Sequence, residues 1–432
     1  MNLTIIGTGY VGLVTGVCLA DFGHHVTCVD IDRKKLERLS RKEMVLYEPG
    51  LAPILSRNVD EGRLQFTDDL ESAPKDVIFL ALPTPPLPEG SADISILMSI
   101  APRLGEWIHA NALIINKSTV PVGTTERLGK EIRKYTDLSF RLVSNPEFLR
   151  EGHAVEDFMN PDRIIVGTQN ESVKEDIENL YRPFTQKGIP ILYMDEKSAE
   201  ITKHASNAFL ATKITFMNEI ANICEATQAQ IDHVEKGMGL DPRIGKDFLR
   251  AGIGYGGSCF PKDISALYSS SRVTGEASKL LQAVISANKR HRLKLLSWAL
   301  AHYGSLESKT FALWGLAFKP GTDDIREAPS LDLIRGLLEA NARVRVHDPK
   351  ALAAMKRLFG DQISYFEDAY DCLSGADALF LLTEWNQYCT PDFAKMKKYL
   401  RAPVILDGRN VYTRTHMKKQ GFVYYSVGRP RP

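Results

Sequence analysis

The sequence predicts an α/β protein built from two doubly wound domains joined by a long central helix. Three observations predict it. A short apolar strand runs straight into Gly7-Thr8-Gly9-Tyr10-Val11-Gly12 and an apolar helical stretch, and the strand that follows ends in Asp30. The same alternation of strand, glycine-bearing turn, helix and strand returns between Thr310 and Pro349. Between the two, the stretch from Glu196 to about His233 has helical spacing with neither proline nor glycine, enough to join two domains. Strands and helices alternating in this way form parallel sheets covered on both faces, the Rossmann-like architecture. The expected domains are residues 1–195, 196–300 and 301–432.

Composition bounds what such a chain can do. Its 432 residues are too many for one ordinary core, and 44% hydrophobic with 25% charged residues is the balance of a soluble globular protein. A formal net charge of +1 excludes a general affinity for nucleic acid or anionic membrane, so any anionic ligand must be met by local cations. No apolar run approaches the ~18 residues of a membrane span. The longest lies near Val77 to Leu82. The start reads as a strand entering a glycine turn and not as a signal peptide, so a cytoplasmic protein is expected. Cys18, Cys28, Cys224, Cys259, Cys372 and Cys389 form no Cys-x-x-Cys pair and have no histidine at zinc spacing, which predicts reduced thiols and no metal.

The elements follow in order. Leu3 to Ile6 is a strand, the helix runs to Phe22, and His25 to Val29 is the second strand. The glycines permit the tight turn, the approach of a pyrophosphate to the helix N-terminus and close helix-strand packing. Asp30 is placed to take a ribose diol and repel a 2′-phosphate, which predicts NAD over NADP, with Arg33 and Lys34 as neighbouring cations. Asp76 to Leu82 is a strand ending in Pro83-Thr84-Pro85-Pro86, and Leu113 to Asn116 one ending in Lys117-Ser118-Thr119. Ligands of doubly wound sheets lie beyond the carboxyl ends of strands, where Thr84 and Thr119 fall; either threonine equally suits a cap or turn. Leu142 to Ser144 leads into Asn145-Pro146-Glu147-Phe148-Leu149-Arg150-Glu151-Gly152, whose charges on their own equally suit a solvated loop.

On the central helix Lys203 and Asn207 are four apart and share one face, beside His204 and Asn218. Asp241-Pro242-Arg243-Ile244-Gly245 and Phe248-Leu249-Arg250-Ala251-Gly252 then lead into a loop that reads Gly-Ile-Gly-Tyr-Gly-Gly-Ser-Cys-Phe-Pro-Lys-Asp from Gly252 to Asp263. Its glycines can fold tightly and let a ligand lie against bare backbone. Cys259 sits where a reactive group belongs, Pro261 stiffens the turn, and Lys262 is a cation that favours thiolate. Ser278 to Tyr303 is a second amphipathic stretch. In the last third, Phe311 to Trp314, Val344 to Val346, Ala378 to Leu382 and Val404 to Leu406 are strands, and Ser330 to Ala340 is a helix. Its turn, Gly315 to Gly321, lacks a full GxGxxG, so no second NAD is assigned there. Arg409, Arg429 and Arg431 read as a solvated tail.

The run Gly-Tyr-Gly-Gly-Ser-Cys-Phe-Pro-Lys-Asp resembles the catalytic-cysteine motif of the nucleotide-sugar 6-dehydrogenases, the UDP-glucose/GDP-mannose dehydrogenase family, and the likeness covers essentially the whole chain. The resemblance implies oxidation of a primary alcohol to an acid with two NAD, through an aldehyde and a cysteine-bound thiohemiacetal and thioester. The cysteine loop and the Glu-Phe-Leu-Arg-Glu-Gly segment point to UDP-glucose as substrate and UDP-glucuronate as product. GDP-mannose or UDP-N-acetylmannosamine is the alternative, and a non-catalytic nucleotide-sugar or NAD sensor is the third reading. Cys259, Lys203, Asn207, Asp263, Glu147 and Thr119 are the implied catalytic set. Lys203 is the base of the first oxidation with Thr119 helping to hold a water, Lys203 and Asn207 stabilise oxyanions, and Glu147 or Asp263 activates the hydrolytic water.

The implied cofactor contacts are Gly7, Gly9, Tyr10, Val11, Gly12, Asp30, Lys35, Thr84, Thr119, Glu151, Lys262 and Arg326. The implied substrate contacts are Glu147, Phe148, Leu149, Arg150, Glu151, Lys203, Asn207, Arg243, Phe248, Leu249, Arg250, Ala251, Gly252, Gly256, Phe318 and Lys319. The last third would hold the nucleotide half of the substrate, with Lys319 and Arg326 as phosphate partners, or Arg326 on NAD. Arg243 would serve a neighbouring subunit, which implies a homodimer.

Overall fold

Short runs rich in β-branched, leucine and aromatic residues form the strands, and most are buried on both faces, as parallel strands between helical layers must be. The structure, a computed structural model, describes residues 1–430. The chain divides into two compact units, Met1–Ser206 with Ser265–Ala277, and Asn207–Ile264 with the residues from Ser278 onward.

In the first unit, β1 (Asn2–Ile6), β2 (His25–Val29), β3 (Leu64–Thr67), β4 (Val77–Leu80), β5 (Ala112–Asn116), β6 (Phe140–Ser144), β7 (Ile164–Gly167) and β8 (Ile191–Met194) form one sheet. Its order is β3-β2-β1-β4-β5-β6-β7-β8. All neighbours are parallel except β6 and β7, which meet antiparallel at Ser144 and Gly167. Ile6 lies opposite both Val29 and Leu80, so the glycine turn, Asp30 and Ala81 leave the sheet at one edge, where the strand order reverses. The two-residue period divides the core: Leu3, Ile5, Phe79 and Leu113 face one layer, while Ile6, Ile78, Leu80 and Ile114 face the other.

In the second unit, β9 (Thr310–Trp314), β10 (Arg343–His347), β11 (Ser364–Tyr365), β12 (Ala378–Leu381), β13 (Val404–Asp407) and β14 (Val423–Ser426) form a sheet in the order β11-β10-β9-β12-β13-β14, all parallel. This repeats the order of the first six strands. Phe311, Leu313 and Phe380 line one face with Trp298, and Trp314, Leu379 and Ile405 line the other with Tyr388.

Three expectations need correcting. The central helix is Glu196–Thr227 and stops short of His233, because Gln228 takes a left-handed φ of 63° and a separate helix begins at Ile231. The stretch from Ser278 to Tyr303 is two helices, Lys279–Arg292 and Lys294–Tyr303, broken at Leu293. The terminal arginines are no solvated tail: β14 carries the chain back onto the sheet, and Arg429 is 6% exposed with its guanidinium on Asp232 at 2.7 and 2.8 Å. Arg409 donates to the carbonyls of Leu382, Gly254 and Phe318. Arg431 lies outside the described residues. Among the described residues no helix is long and apolar enough to cross a membrane.

Candidate active site

The glycine turn after β1 divides its labour. A Cβ on Gly7, whose φ is +97°, would lie 2.5 Å from the Ala81 carbonyl oxygen, and one on Gly12 would lie 1.9 Å from the Gly7 carbonyl oxygen. Around Gly9, by contrast, nothing stands within 4 Å of a Cβ position. Packing therefore demands the outer two glycines, while the middle one leaves open ground over the start of the Tyr10–Asp21 helix. Backbone N–H groups at a helix start suit a pyrophosphate, so these residues fit a dinucleotide.

Asp30 ends β2 as expected. One of its carboxylate oxygens accepts the Thr8 N–H at 2.7 Å, the Thr8 hydroxyl at 2.6 Å and Lys35 Nζ at 2.5 Å, and the other accepts the Asp32 N–H at 3.1 Å. Burial opposes its charge, but the bonds from Lys35, Thr8 and Asp32 outweigh burial and hold the carboxyl down at about 2. Arg33 turns outward to Asp68. Thr84, from the loop after β4, donates to the Thr119 carbonyl at 2.8 Å.

Sequence reasoning passed over Glu48. It is 5% exposed, and its carboxylate accepts the Tyr10 hydroxyl together with the N–H groups of Gly152 and Ala154, each at 2.7 Å. The glycine turn and the loop through Glu151 are thereby tied by one carboxylate. Nothing in the largely apolar stretch around Glu48 signals this, because all three donors are distant in sequence.

The loop after β6 is not solvated. Glu147 and Glu151 are both 7% exposed. Glu147 accepts the Leu149 N–H at 2.5 Å and pairs with Lys203 Nζ at 3.1 Å, in a contact where the two side chains are 6% and 3% exposed. Lys203 also lies 5.2 Å from the centre of the Phe148 ring. Arg150 points away, forked onto Asp157. Because β5 and β6 are neighbours, the residues just past their ends meet: Lys117 Nζ donates to Asn145 Oδ1 at 3.2 Å and to the Asn145 carbonyl at 3.4 Å. Burial pushes the Lys117 ammonium down to about 8; Glu147 opposes the fall and Lys203 adds to it. The central helix is pinned here by Glu200, which accepts the N–H groups of Gly123 and Thr125, and by His204 Nε2 on the Val120 carbonyl.

The cysteine loop belongs to the second unit. Asp263 N–H donates to the Cys259 carbonyl at 2.8 Å, so Cys259 is the cap of the helix Phe260–Val273. A helix start favours negative charge on a thiol. Cys259 is part-exposed, whereas Cys18, Cys28 and Cys372 are buried and their thiols pushed up to about 12 by desolvation. Asp263 is 1% exposed, accepts Asn207 Nδ2 at 2.6 Å and pairs with Lys262 Nζ at 2.7 Å.

The glycines of this loop do not leave bare backbone for a ligand. A Cβ on Gly256 would lie 2.1 Å from the Glu327 carbonyl oxygen, one on Gly254 2.5 Å from Asn288 Oδ1, one on Gly257 2.8 Å from the Phe318 ring, and one on Gly252 3.0 Å from the Gly408 carbonyl oxygen. The protein's own parts fill those faces, so the glycines serve close packing. Asn288 further grips Tyr255 at both its N–H and its carbonyl, and Asn218 accepts the Gly252 N–H. The side chains of Leu249 and Ala251 lie in the core, which leaves their backbone for any ligand. Phe248 takes a left-handed φ of 64°, and Arg250 reaches the Asn410 carbonyl. Lys319 lies over the Phe318 ring, Arg326 is exposed and paired with Asp324, and Arg243 is 87% exposed and paired with Asp241.

A glycine turn at a helix start, a pinned carboxylate after β2 and strand order reversing between β1 and β4 define a dinucleotide-binding α/β dehydrogenase. The second sheet repeats the order without the full glycine motif. The chain belongs to the UDP-glucose/GDP-mannose dehydrogenase family: residues 1–185 match its NAD binding domain, 197–290 its central domain and 312–414 its UDP binding domain. It is 46% identical over 445 residues to the UDP-glucose 6-dehydrogenase of Pseudomonas aeruginosa, covering 100% of this chain and 98% of that one. Among solved structures, a UDP-glucose dehydrogenase from Pyrobaculum islandicum is 36% identical with a TM-score of 0.92, covering 99% and 98% of the two chains. A UDP-D-ManNAc dehydrogenase from Pyrococcus horikoshii is 25% identical with a TM-score of 0.86, covering 99% of each.

Proposed function

We propose that the protein oxidises UDP-glucose to UDP-glucuronate with NAD, through a covalent intermediate on Cys259. The observation that carries the reading is Cys259 itself, a part-exposed thiol capping a helix, in a chain whose relatives of higher identity are UDP-glucose dehydrogenases. NAD, when bound, supplies a two-electron acceptor for each of two oxidations. Gly9, Asp30 and the start of the Tyr10–Asp21 helix would hold it.

Lys203 takes the proton of the sugar's primary hydroxyl in the first oxidation, with Glu147 orienting its Nζ. The Cys259 thiolate adds to the aldehyde carbon, and Asn207, its amide fixed by Asp263, stabilises the oxyanion of the resulting thiohemiacetal. A second oxidation leaves a thioester, and water activated by Glu147 or Asp263 releases the acid and returns the thiol. In this reading residues 1–195 bind NAD, 196–300 carry the chemistry and 301–432 bind the nucleotide. The protein works in the cytoplasm as a homodimer through the central helix, which exposes Ile201, Phe209, Phe216 and Ile223 at spacings that keep them on one stripe.

NADH formation with a panel of nucleotide sugars tests the reading. UDP-glucose should give two NADH per acid and outperform GDP-mannose and UDP-N-acetylmannosamine by kcat/KM. Cys259→Ala should bind UDP-glucose and NAD yet lose acid formation by several orders of magnitude. Acid made at near wild-type rate by that variant, folded by circular dichroism, would refute it.

A further inference from the structure

Asn288 has no part in the chemistry above, yet it is 4% exposed on the helix Lys279–Arg292 and gives its whole amide to one residue of the cysteine loop. Its Oδ1 accepts the Tyr255 N–H at 3.0 Å, and its Nδ2 donates to the Tyr255 carbonyl at 3.1 Å, as a neighbouring strand would. Among side chains of this length, only that of asparagine offers an amide donor and acceptor in one plane. A Cβ on Gly254 would lie 2.5 Å from Asn288 Oδ1, so the bare backbone at Gly254 is what admits the amide. One turn further on, Arg292 donates to the Glu327 carboxylate at 2.9 Å and to the Ala328 carbonyl at 3.4 Å, and the Glu327 carbonyl is the oxygen that Gly256 packs against. Two residues four apart on one helix therefore hold both the loop and the turn on which it rests.

The grip on Tyr255 reaches the thiol by two routes. The Tyr255 ring, 6% exposed, meets Phe260 edge-on with centroids 6.0 Å apart and planes at 85°, and Phe260 follows Cys259 in the chain. Phe248 lies against the same Phe260 ring at 6.1 Å. Along the backbone, only Gly256, Gly257 and Ser258 separate Tyr255 from Cys259, and the Gly257 N–H is fixed on the Arg326 carbonyl at 2.9 Å.

We propose that Asn288 is a positioning residue for the thiol: by fixing Tyr255 it holds Cys259 at the start of the helix Phe260–Val273, where backbone N–H groups favour a thiolate. The proposal rests on the reading of Cys259 as nucleophile. The step served is addition to the aldehyde: the carbon–sulfur bond forms as the carbonyl π bond gives its electrons to oxygen, and the charge passes from sulfur to that oxygen. Hydride loss from the alcohol comes before the thiol is engaged, so Asn288 does not serve the first oxidation.

Two variants test this. Asn288→Leu removes both bonds to the Tyr255 backbone, and Tyr255→Leu removes the ring from Phe260 while leaving those bonds in place. In the unliganded protein, alkylation of Cys259 by iodoacetamide, followed by mass spectrometry of its peptide, should slow by about tenfold in each. With UDP-glucose and NAD in single turnover, the first NADH should form within about twofold of the wild-type rate and the second about a hundredfold more slowly, leaving product at the aldehyde level. An unchanged alkylation rate in both variants, or an equal fall of both NADH phases, would mean that Asn288 is merely structural and overturns the inference, while the proposed reaction stands. If Cys259→Ala forms both NADH at the wild-type rate, the nucleophile assignment falls and takes the inference with it. Should Asn288→Leu not fold, Tyr255→Leu and the milder Asn288→Asp, which keeps an acceptor for the Tyr255 N–H and loses the donor to its carbonyl, decide by the same two measurements.

Discussion

Replacing Gly9 and Gly12 separately by alanine divides the packing role of the glycine turn from its ligand role. Gly9 has an extended backbone, φ −68° and ψ −171°, that alanine adopts freely, and its added methyl would enter space with nothing within 4 Å. As the N-cap of its helix the site prefers glycine to alanine by about 0.5–1 kcal/mol, and the stiffer unfolded chain returns roughly 0.4–1 kcal/mol. Gly9→Ala should thus unfold within about 2 °C of wild type. Gly12→Ala would place its Cβ 1.9 Å from the Gly7 carbonyl oxygen, where real contacts begin near 3.0 Å, so the backbone must move. Overpacking of that kind costs about 3 kcal/mol, roughly 6–12 °C for a unit of this size.

The assay is thermal unfolding with and without NAD, with calorimetric titration of NAD. At a hundredfold excess over Kd, NAD should stabilise the wild type by about 2.7 kcal/mol. Gly9→Ala should bind at least tenfold more weakly and so lose about half of that gain or more at the same NAD concentration. Wild-type NAD affinity in Gly9→Ala would show that the pyrophosphate does not lie over Gly9. Equal destabilisation of both variants without NAD would refute the packing argument.

Three further outcomes are expected. Asp30, held at about 2 in the folded protein against an unfolded value of about 3.9, contributes stability that is present above pH 4 and lost as pH falls toward 2. Denaturant titrations should therefore show a wild-type advantage over Asp30→Asn that is constant near neutrality and shrinks below pH 4, and the variant should discriminate less against NADP. Phe209→Glu with Phe216→Glu should shift sedimentation toward monomer if the exposed stripe of the central helix is an interface; an unchanged dimer places that interface elsewhere. Arg429→Met leaves Asp232 and the Tyr412 carbonyl without their partner, and with Asp232 44% exposed the loss should be about 2 kcal/mol in urea unfolding; no loss would mark the pair as incidental.

The parts of the fold readable from sequence were those whose signal is local. The turn from Gly7 to Gly12 and the acid at Asp30 lie in one βαβ unit, although the steric demand on Gly7 comes from the distant Ala81 and Gly9 meets nothing within 4 Å. β3, β7 and β8 leave no clear mark in the sequence although β4, β12 and β13 are just as short: β3 and β8 are only part-buried, and β7 turns antiparallel to its neighbour, which no periodicity announces. The breaks at Gln228 and Leu293 carry no proline or glycine, so spacing alone ran through them. Among the site residues, Cys259 and the Lys203–Asn207 pair announce themselves by motif and by helical spacing. Glu48 and Lys117 do not, since each matters only through partners that strand pairing or a distant loop brings to it. The Gly256 contact with Glu327 is of the same kind: the sequence shows that a side chain is absent, and only the fold shows what took its place.

That contact has a bearing on how this protein can be altered. Surface turns past strand ends are ordinarily where insertions and exchanges are absorbed, and they are the natural places to redesign which nucleotide a domain accepts. Here the turn after β9 and the turn after β13 also form the seat of the cysteine loop: Gly257 donates to the Arg326 carbonyl, Ile253 to the Gly408 carbonyl, and Arg409 reaches back to the Gly254 carbonyl. Lengthening either turn by one residue shifts the seat. Grafting these turns from a relative will therefore move the thiol as well, and recovery of turnover will require compensating changes between Gly252 and Gly257.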